Sequence, residues 1–434
     1  MAWMSIAYGG IIAFLFRGIN VVVALATVVL TSRVLSSADY GLFGLALSVV
    51  GFVNAMTGGL AAATAYQISN QRRPTAVVVL NSGSLALGLA TLAVAAGILA
   101  GSALSGEVSR VALAVAISAA AVIANSVIAG MFLGRESFIR YNLSLVGPPL
   151  VALAAIAVTF FVFGRQTPEA ALGAYATGQS LSLGAMLLLG RSSFGGGVRF
   201  EGSLTRSVLR FTLLAGISSG ISFLNYRADL FIVDHFEGKA GVGPYLLAVY
   251  IAESVWQVSG SLALATYARV GSLSRVEAAQ LTARVMRHTV VLLAGVCAVL
   301  FLAADVIEAA LGGEKYSGVA SALRYLLPGV LVYGLAQSFS GFYTYQRGLP
   351  WVAALVAGTG LILDIALAII LVPRMGIDGA ALASAIAYSV AIIGGLVVFV
   401  RREHLGAQEV FRFGRAEFED YRALFGRLKR VLAR

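Results

Sequence analysis

Apolar residues dominate this chain in stretches of about twenty or more, interrupted only by short polar breaks. About twenty apolar residues at 1.5 Å rise each span the hydrocarbon of a bilayer. The stretches predict helical spans at residues 8–31, 40–66, 76–101, 110–133, 142–163, 170–189, 208–233, 242–267, 289–311, 318–342, 350–372 and 377–400. That is twelve. None alternates with period two, so a membrane β-barrel is excluded and the fold class expected is all-α. The N-terminal stretch MAWMSIAYGG has no basic residue and Arg17 interrupts the apolar run after it, so Ala24 to Ala26 reads as part of a first span and not as a cleavage site.

The longest internal break, Arg191 to Arg206, divides the spans six and six. The organisation expected is an N-terminal six-helix bundle (1–190), a cytoplasmic linker (191–207), a C-terminal six-helix bundle (208–400) and a tail (401–434). Weak internal similarity supports two related halves: Asp39 to Phe43 resembles Gly241 to Tyr245, and Glu169 to Gly178 resembles Ile377 to Tyr388. Each half holds an even number of spans, so the repeats run in the same sense, about an axis along the membrane normal.

Composition agrees with the pattern: 59% of the 434 residues are hydrophobic and 12% charged. Charge then orients the chain. One set of alternate loops, from Arg72 to Arg347, holds thirteen arginines against three glutamates, and the opposite set holds six bases against nine acids. Cytoplasmic loops are the basic ones, so both termini are expected in the cytoplasm. The net charge of +11 is thus a topology signal, and no nucleic-acid partner is inferred. In the tail, Phe418, Tyr421, Phe425, Leu428 and Leu432 recur at helical spacing beside Arg422, Arg427, Lys429 and Arg430. That pattern predicts an amphipathic helix on anionic lipid, or else a solvated basic tail.

Glycine pairs four residues apart (Gly97/Gly101, Gly130/Gly134, Gly216/Gly220) suit close helix packing. The single Cys297 sits in an apolar run, and His235, His288 and His404 are scattered, so neither a disulfide, a metal site nor a cofactor is indicated.

The chemistry lies in charges at bilayer depth, where ionisable groups are costly and normally face a cavity or a partner. Arg17 is about nine residues into the first span, and Asn20 shares its face; together they line a polar cavity, or Arg17 snorkels or makes a structural bond. Arg227 and Asp229 point to different faces of the seventh span; each either reaches the surface or turns inward. Glu253, in the middle of the eighth span, is the partner of a buried arginine, a proton or cation coupling site, or part of a hydrogen-bonded kink. Asp364 is deep in the eleventh span, where hydrogen bonding between helices is the plain reading. Arg324 is close enough to an end to snorkel.

Three segments resemble one family. Tyr226 to Glu253 (YRADLFIVDHFEGKAGVGPYLLAVYIAE) is similar to the Arg-x-Asp and Val-Gly-x-Tyr pattern of polysaccharide flippases in the multidrug/oligosaccharidyl-lipid/polysaccharide exporter superfamily. Leu35 to Phe43 (LSSADYGLF) and Val372 to Ser384 (VPRMGIDGAALAS) resemble two further signatures, in the family's order. The resemblance implies alternating access in a bacterial cytoplasmic membrane. The cargo implied is an undecaprenyl-pyrophosphate-linked oligosaccharide for surface polysaccharide. Arg17, Asn20 and Arg227 would bind its headgroup, a proton or sodium ion is the coupling candidate, and polymerase and glycosyltransferases are candidate partners. A drug antiporter of the same superfamily would share the fold, but its usual first-span carboxylate is replaced here by Arg17 and Asn20. A membrane polysaccharide polymerase would need catalytic groups on a long outer loop, and the outer loops here are short; no Ser/His/Asp set, P-loop or metal motif supports an enzyme.

Overall fold

A computed structural model describes residues 2–103, 105–194, 197–349 and 351–406. The described residues are almost entirely helical and contain no strand. The helices are α1 (Ala2–Val34), α2 (Ser37–Thr57), α3 (Gly59–Ser69), α4 (Thr75–Ala103), α5 (Glu107–Gly134), α6 (Phe138–Phe161) and α7 (Pro168–Gly190). They continue as α8 (Gly202–Ser254), α9 (Trp256–Ser272), α10 (Arg275–Leu311), α11 (Val319–Tyr333), α12 (Ala336–Gly341), α13 (Trp351–Met375) and α14 (Ile377–Arg402).

Eleven helical stretches among the described residues are long and apolar enough to cross a membrane. Ten correspond one to one with sequence-predicted spans. The eleventh, Gly202–Ala263, covers two, because non-helical backbone at Gly238 (φ 66°, ψ −177°) divides it. That left-handed φ suits a residue without Cβ. The amphipathic helix expected in the tail lies outside the described residues.

Local chemistry explains where helices begin. Ser36 caps α2: its Oγ accepts from the Asp39 amide and donates to the Asp39 carboxylate at 2.6 Å. Thr167 caps α7 by accepting from the Ala170 amide, with Pro168 at the first helical position, where its missing N–H costs nothing.

Two compact units emerge. The first comprises residues 1–246 and 311–316. In it α5 packs against α3, α4 and α7, and α6 against α1 and α7. Leu60, Val78, Ile123, Met131 and Phe132 form its buried centre. All three glycine pairs mark close crossings: a Cβ on Gly97 would meet Ala116, one on Gly130 the Ala61 carbonyl, and one on Gly216 the Met56 carbonyl. The 197–202 segment is pinned to α4 by Asn81, which is fully buried. Its amide donates to Arg199 O at 2.9 Å, and its carbonyl accepts from the Glu201 amide (2.8 Å) and the Thr205 hydroxyl (2.9 Å).

One end of the first unit is interlocked. Ser37 Oγ donates to Ala240 O at 3.0 Å. Cβ atoms built on Gly41 and Gly243, in the two segments whose sequences resemble one another, would lie 2.1 Å from Lys239 O and 2.4 Å from Ser37 O. Residues 311–316 close over the end of α1, where Lys315 Nζ (2.8 Å) and Tyr316 Oη (2.7 Å) both donate to Ser32 O. A cation there complements the negative end of the helix dipole.

The second unit comprises, among the described residues, 247–310 and 317–406. Here α14 packs against α11 and α13, and α12 against α9. Glu403 is nearly inaccessible and closes on Arg275 at 2.7 Å, with Arg347 at 3.8 Å.

Candidate functional site

Polar side chains in the spans separate into bonded and open ones. Asp229 is 2% exposed: its carboxylate accepts from the Leu230 amide at 2.9 Å and from the Tyr245 hydroxyl. Tyr245 comes alongside because Gly238 turns the chain back, nine residues after Asp229 and seven before Tyr245. Surface snorkelling, one of the two sequence readings for Asp229, does not describe this buried group. Arg227, two residues earlier, is half-buried, and its Nη1 donates to Tyr226 O at 2.6 Å.

Asp364, in α13, is 1% exposed and accepts from the Ser384 hydroxyl of α14 at 3.0 Å. This is the interhelical hydrogen bond that its depth in the sequence suggested. Glu253 is half-buried near the end of α8. Arg324 does not simply reach outward: its guanidinium forms a two-pronged ion pair with Asp305 and lies over the Phe301 ring.

Arg17 and Asn20 are exposed on α1, on a helix whose Leu15, Ile19 and Val22 are exposed as well. A guanidinium so placed at hydrocarbon depth is costly unless water reaches it. Thus Arg17, Asn20, Arg227 and Asp229 fall in the first unit, and Glu253 and Asp364 in the second.

Sequence reasoning missed the partners. Tyr245 was within the quoted Val-Gly-x-Tyr pattern, which gave a signal for it; Ser384 carried none beyond its place in the third motif. Nor did spacing reveal that Lys315 and Tyr316 cap α1. Burial there lowers the Lys315 pKa and raises that of the Tyr316 phenol, since it disfavours the charged form of each.

With this geometry in place, comparison with known proteins decides the family. The model of the family described as "Polysaccharide biosynthesis protein" matches residues 6–267, more than half of the chain. The chain belongs to the polysaccharide biosynthesis protein family. No curated protein matches it significantly. Among solved structures, the fold is similar to that of the lipid II flippase MurJ in an inward closed conformation. That match has a TM-score of 0.74 at 14% identity, covering 93% of this chain and 89% of that one. It is also similar to an inward-facing multidrug resistance MATE family transporter of the MOP superfamily (TM-score 0.69, 18% identity, 90% and 98% covered). A MOP superfamily transporter from Pyrococcus furiosus, whose binding pocket is described as reversed in polarity, matches with a TM-score of 0.63 at 18% identity over 92% and 95%. At these identities the likeness shows the fold alone: the polytopic, multi-pass helical fold that these structures share. The structural neighbours are described as transporters and a flippase.

Proposed function

We propose that this chain is a flippase that carries an undecaprenyl-pyrophosphate-linked oligosaccharide across the bacterial cytoplasmic membrane for surface polysaccharide assembly. The carrying observation is the polysaccharide family match over a region that places Arg17 exposed within an apolar span. A guanidinium pairs bidentately with phosphate oxygens, and a wet passage at that depth gives it reason to be there. Arg17, with Asn20 and the half-buried Arg227, binds the pyrophosphate; the protein itself makes and breaks no covalent bond. The two six-span halves alternate in access, both termini face the cytoplasm, and the basic tail rests on anionic lipid. Asp229, Glu253 and Asp364 are the groups through which a proton or sodium ion would couple. Polymerase and glycosyltransferases of the same glycan are the natural partners.

The competing reading is a cation-coupled multidrug antiporter, which the similarity to a multidrug MATE transporter keeps in view. Arg17 in the first span favours an anionic cargo over it. The test replaces Arg17 and Arg227 singly with Ala and follows surface polysaccharide at matched membrane expression. Export should fall in both variants. Unchanged export in both removes the cationic-site mechanism, and drug efflux that depends on either residue would favour the antiporter.

A further inference from the structure

Two helical segments of the second unit lose regular bonding where they approach Trp256. Between α8 and α9 the amides reach back three residues: Val255 N–H donates to Ala252 O at 3.2 Å and Val258 N–H to Val255 O at 3.1 Å. Between α11 and α12, Leu335 N–H donates to Val332 O and Ser338 N–H to Leu335 O, both at 3.1 Å. A π-helical turn, Phe342–Gln346, follows. Such local rewinding often marks a functional point in a helix. At bilayer depth, irregular backbone is tolerated only inside protein or beside water, and interrupted spans are where transporters build their sites.

The position is central. From Lys239, just past the Gly238 break, to Ser272 the chain is helical apart from Val255, and Trp256 lies seventeen residues from the first and sixteen from the last. That is too deep for a tryptophan of the interfacial belt. The indole is also fixed from behind. Its Nε1 donates to Val330 O at 2.9 Å, and its ring packs against Tyr333 (centroids 4.7 Å apart) and Tyr388 (5.9 Å), both buried. Tyr333 and Tyr388 in turn pack on each other at 4.8 Å. Trp256 itself is half-buried and keeps part of its surface accessible.

Beside it runs a polar stripe. Ser254, Gln257 and Ser261 are all exposed: Gln257 and Ser261, four residues apart, share one face of α9, and Ser254 ends α8 just before the turn at Val255. Ser254 Oγ donates to Ile251 O and Ser261 Oγ to Gln257 O, so both hydroxyl oxygens keep acceptor capacity outward, while Gln257 offers donor and acceptor together. With both hydroxyls already bonded to backbone carbonyls, the cost of facing acyl chains falls on the Gln257 amide, which argues for polar surroundings on this face. The stripe holds no basic residue, which makes it unsuited to pyrophosphate and suited to a neutral polar ligand.

We propose that Trp256, Gln257, Ser254 and Ser261 form a sugar-binding site, in which the indole stacks on the apolar C–H face of one pyranose ring and the stripe bonds its hydroxyls. A rigid aromatic plane flanked by a few placed polar groups satisfies both surfaces of such a ring. The site rests on the flippase reading and deepens it: this stripe takes a sugar of the lipid-linked cargo.

The chain has three tryptophans, so a Trp3→Phe, Trp351→Phe protein in nanodiscs leaves Trp256 as the sole indole. It is titrated with lipid-linked oligosaccharide purified from cells making the polysaccharide, and with undecaprenyl pyrophosphate bearing no sugar. Trp256 fluorescence should respond saturably to the glycosylated lipid alone. In the otherwise unaltered chain, Trp256→Ala should weaken binding of the glycosylated lipid about tenfold and leave the sugar-free lipid unchanged, tenfold being about 1.4 kcal/mol. Trp256→Phe, which keeps a ring, should stay within about threefold of the parent. Equal weakening toward both lipids, or none toward the glycosylated one, overturns the sugar site while leaving the flippase reading standing. Binding of neither lipid by the parent chain, with surface polysaccharide unaltered when the gene is deleted, overturns both.

Discussion

Gly41 offers the sharpest test of the packing at the interlocked end of the first unit. A Cβ there would lie 2.1 Å from Lys239 O and 3.1 Å from Gly243 N, both backbone atoms, whereas ordinary contact begins near 3.4 Å. A backbone carbonyl cannot rotate away as a side-chain tip can, so Gly41→Ala must displace the 239–243 segment by about 1 Å. Overpacking of this kind costs about 1–3 kcal/mol. Gly83→Ala is the control: nothing lies within 4 Å of a Cβ at that position, and Ala is the better helix former by up to about 1 kcal/mol. Thermal unfolding in nanodiscs should place Gly41→Ala at least about 3 °C below the parent and Gly83→Ala at or above it. Gly243→Ala, which meets Ser37 O at 2.4 Å, should behave like Gly41→Ala. The double variant should cost less than the two singles together, because one displacement relieves both clashes. An introduced cysteine at Ala240 should also react faster with a polar maleimide in Gly41→Ala. Parent-like melting and labelling in Gly41→Ala would refute the close approach.

Other outcomes follow from single contacts. Asn81→Ala strands the Glu201 amide and frees the 197–202 segment, at a cost of about 1–3 kcal/mol, so limited proteolysis should cut there faster; an unchanged digestion rate would contradict the pinning. Asp364→Asn retains an acceptor for the Ser384 hydroxyl, so stability should be nearly unchanged; transport lost with stability kept would assign Asp364 to coupling, and transport kept would confine it to hydrogen bonding. The Tyr316 phenol, its pKa raised by burial above the ordinary 10, contributes stability that is complete below that pH and is lost as pH climbs toward its folded value. Unfolding curves should therefore fall less steeply above pH 10 in Tyr316→Phe than in the parent, and identical slopes would refute the shift.

The order of apolar runs was enough to give an all-helical membrane chain, because spanning helices satisfy their backbones internally and so depend mainly on local sequence. Ten spans and the paired content of Gly202–Ala263 were legible for that reason, as were the close glycine crossings. Hydropathy could not place the break at Gly238 as left-handed backbone, since it records composition and not φ. The candidate site was only half legible. Charge at depth singled out Arg17, Asp229 and Asp364, but whether a charged group is open or bonded depends on what packs beside it. Tyr245 returns to Asp229 across a reversal, Ser384 reaches Asp364 from another helix, and Tyr333 and Tyr388 brace Trp256 from residues far along the chain. Local sequence determined which segments are apolar enough to enter the membrane; only tertiary structure decided which of their polar groups are hydrogen-bonded and which stay exposed, because those partners are brought together by folding and not by spacing.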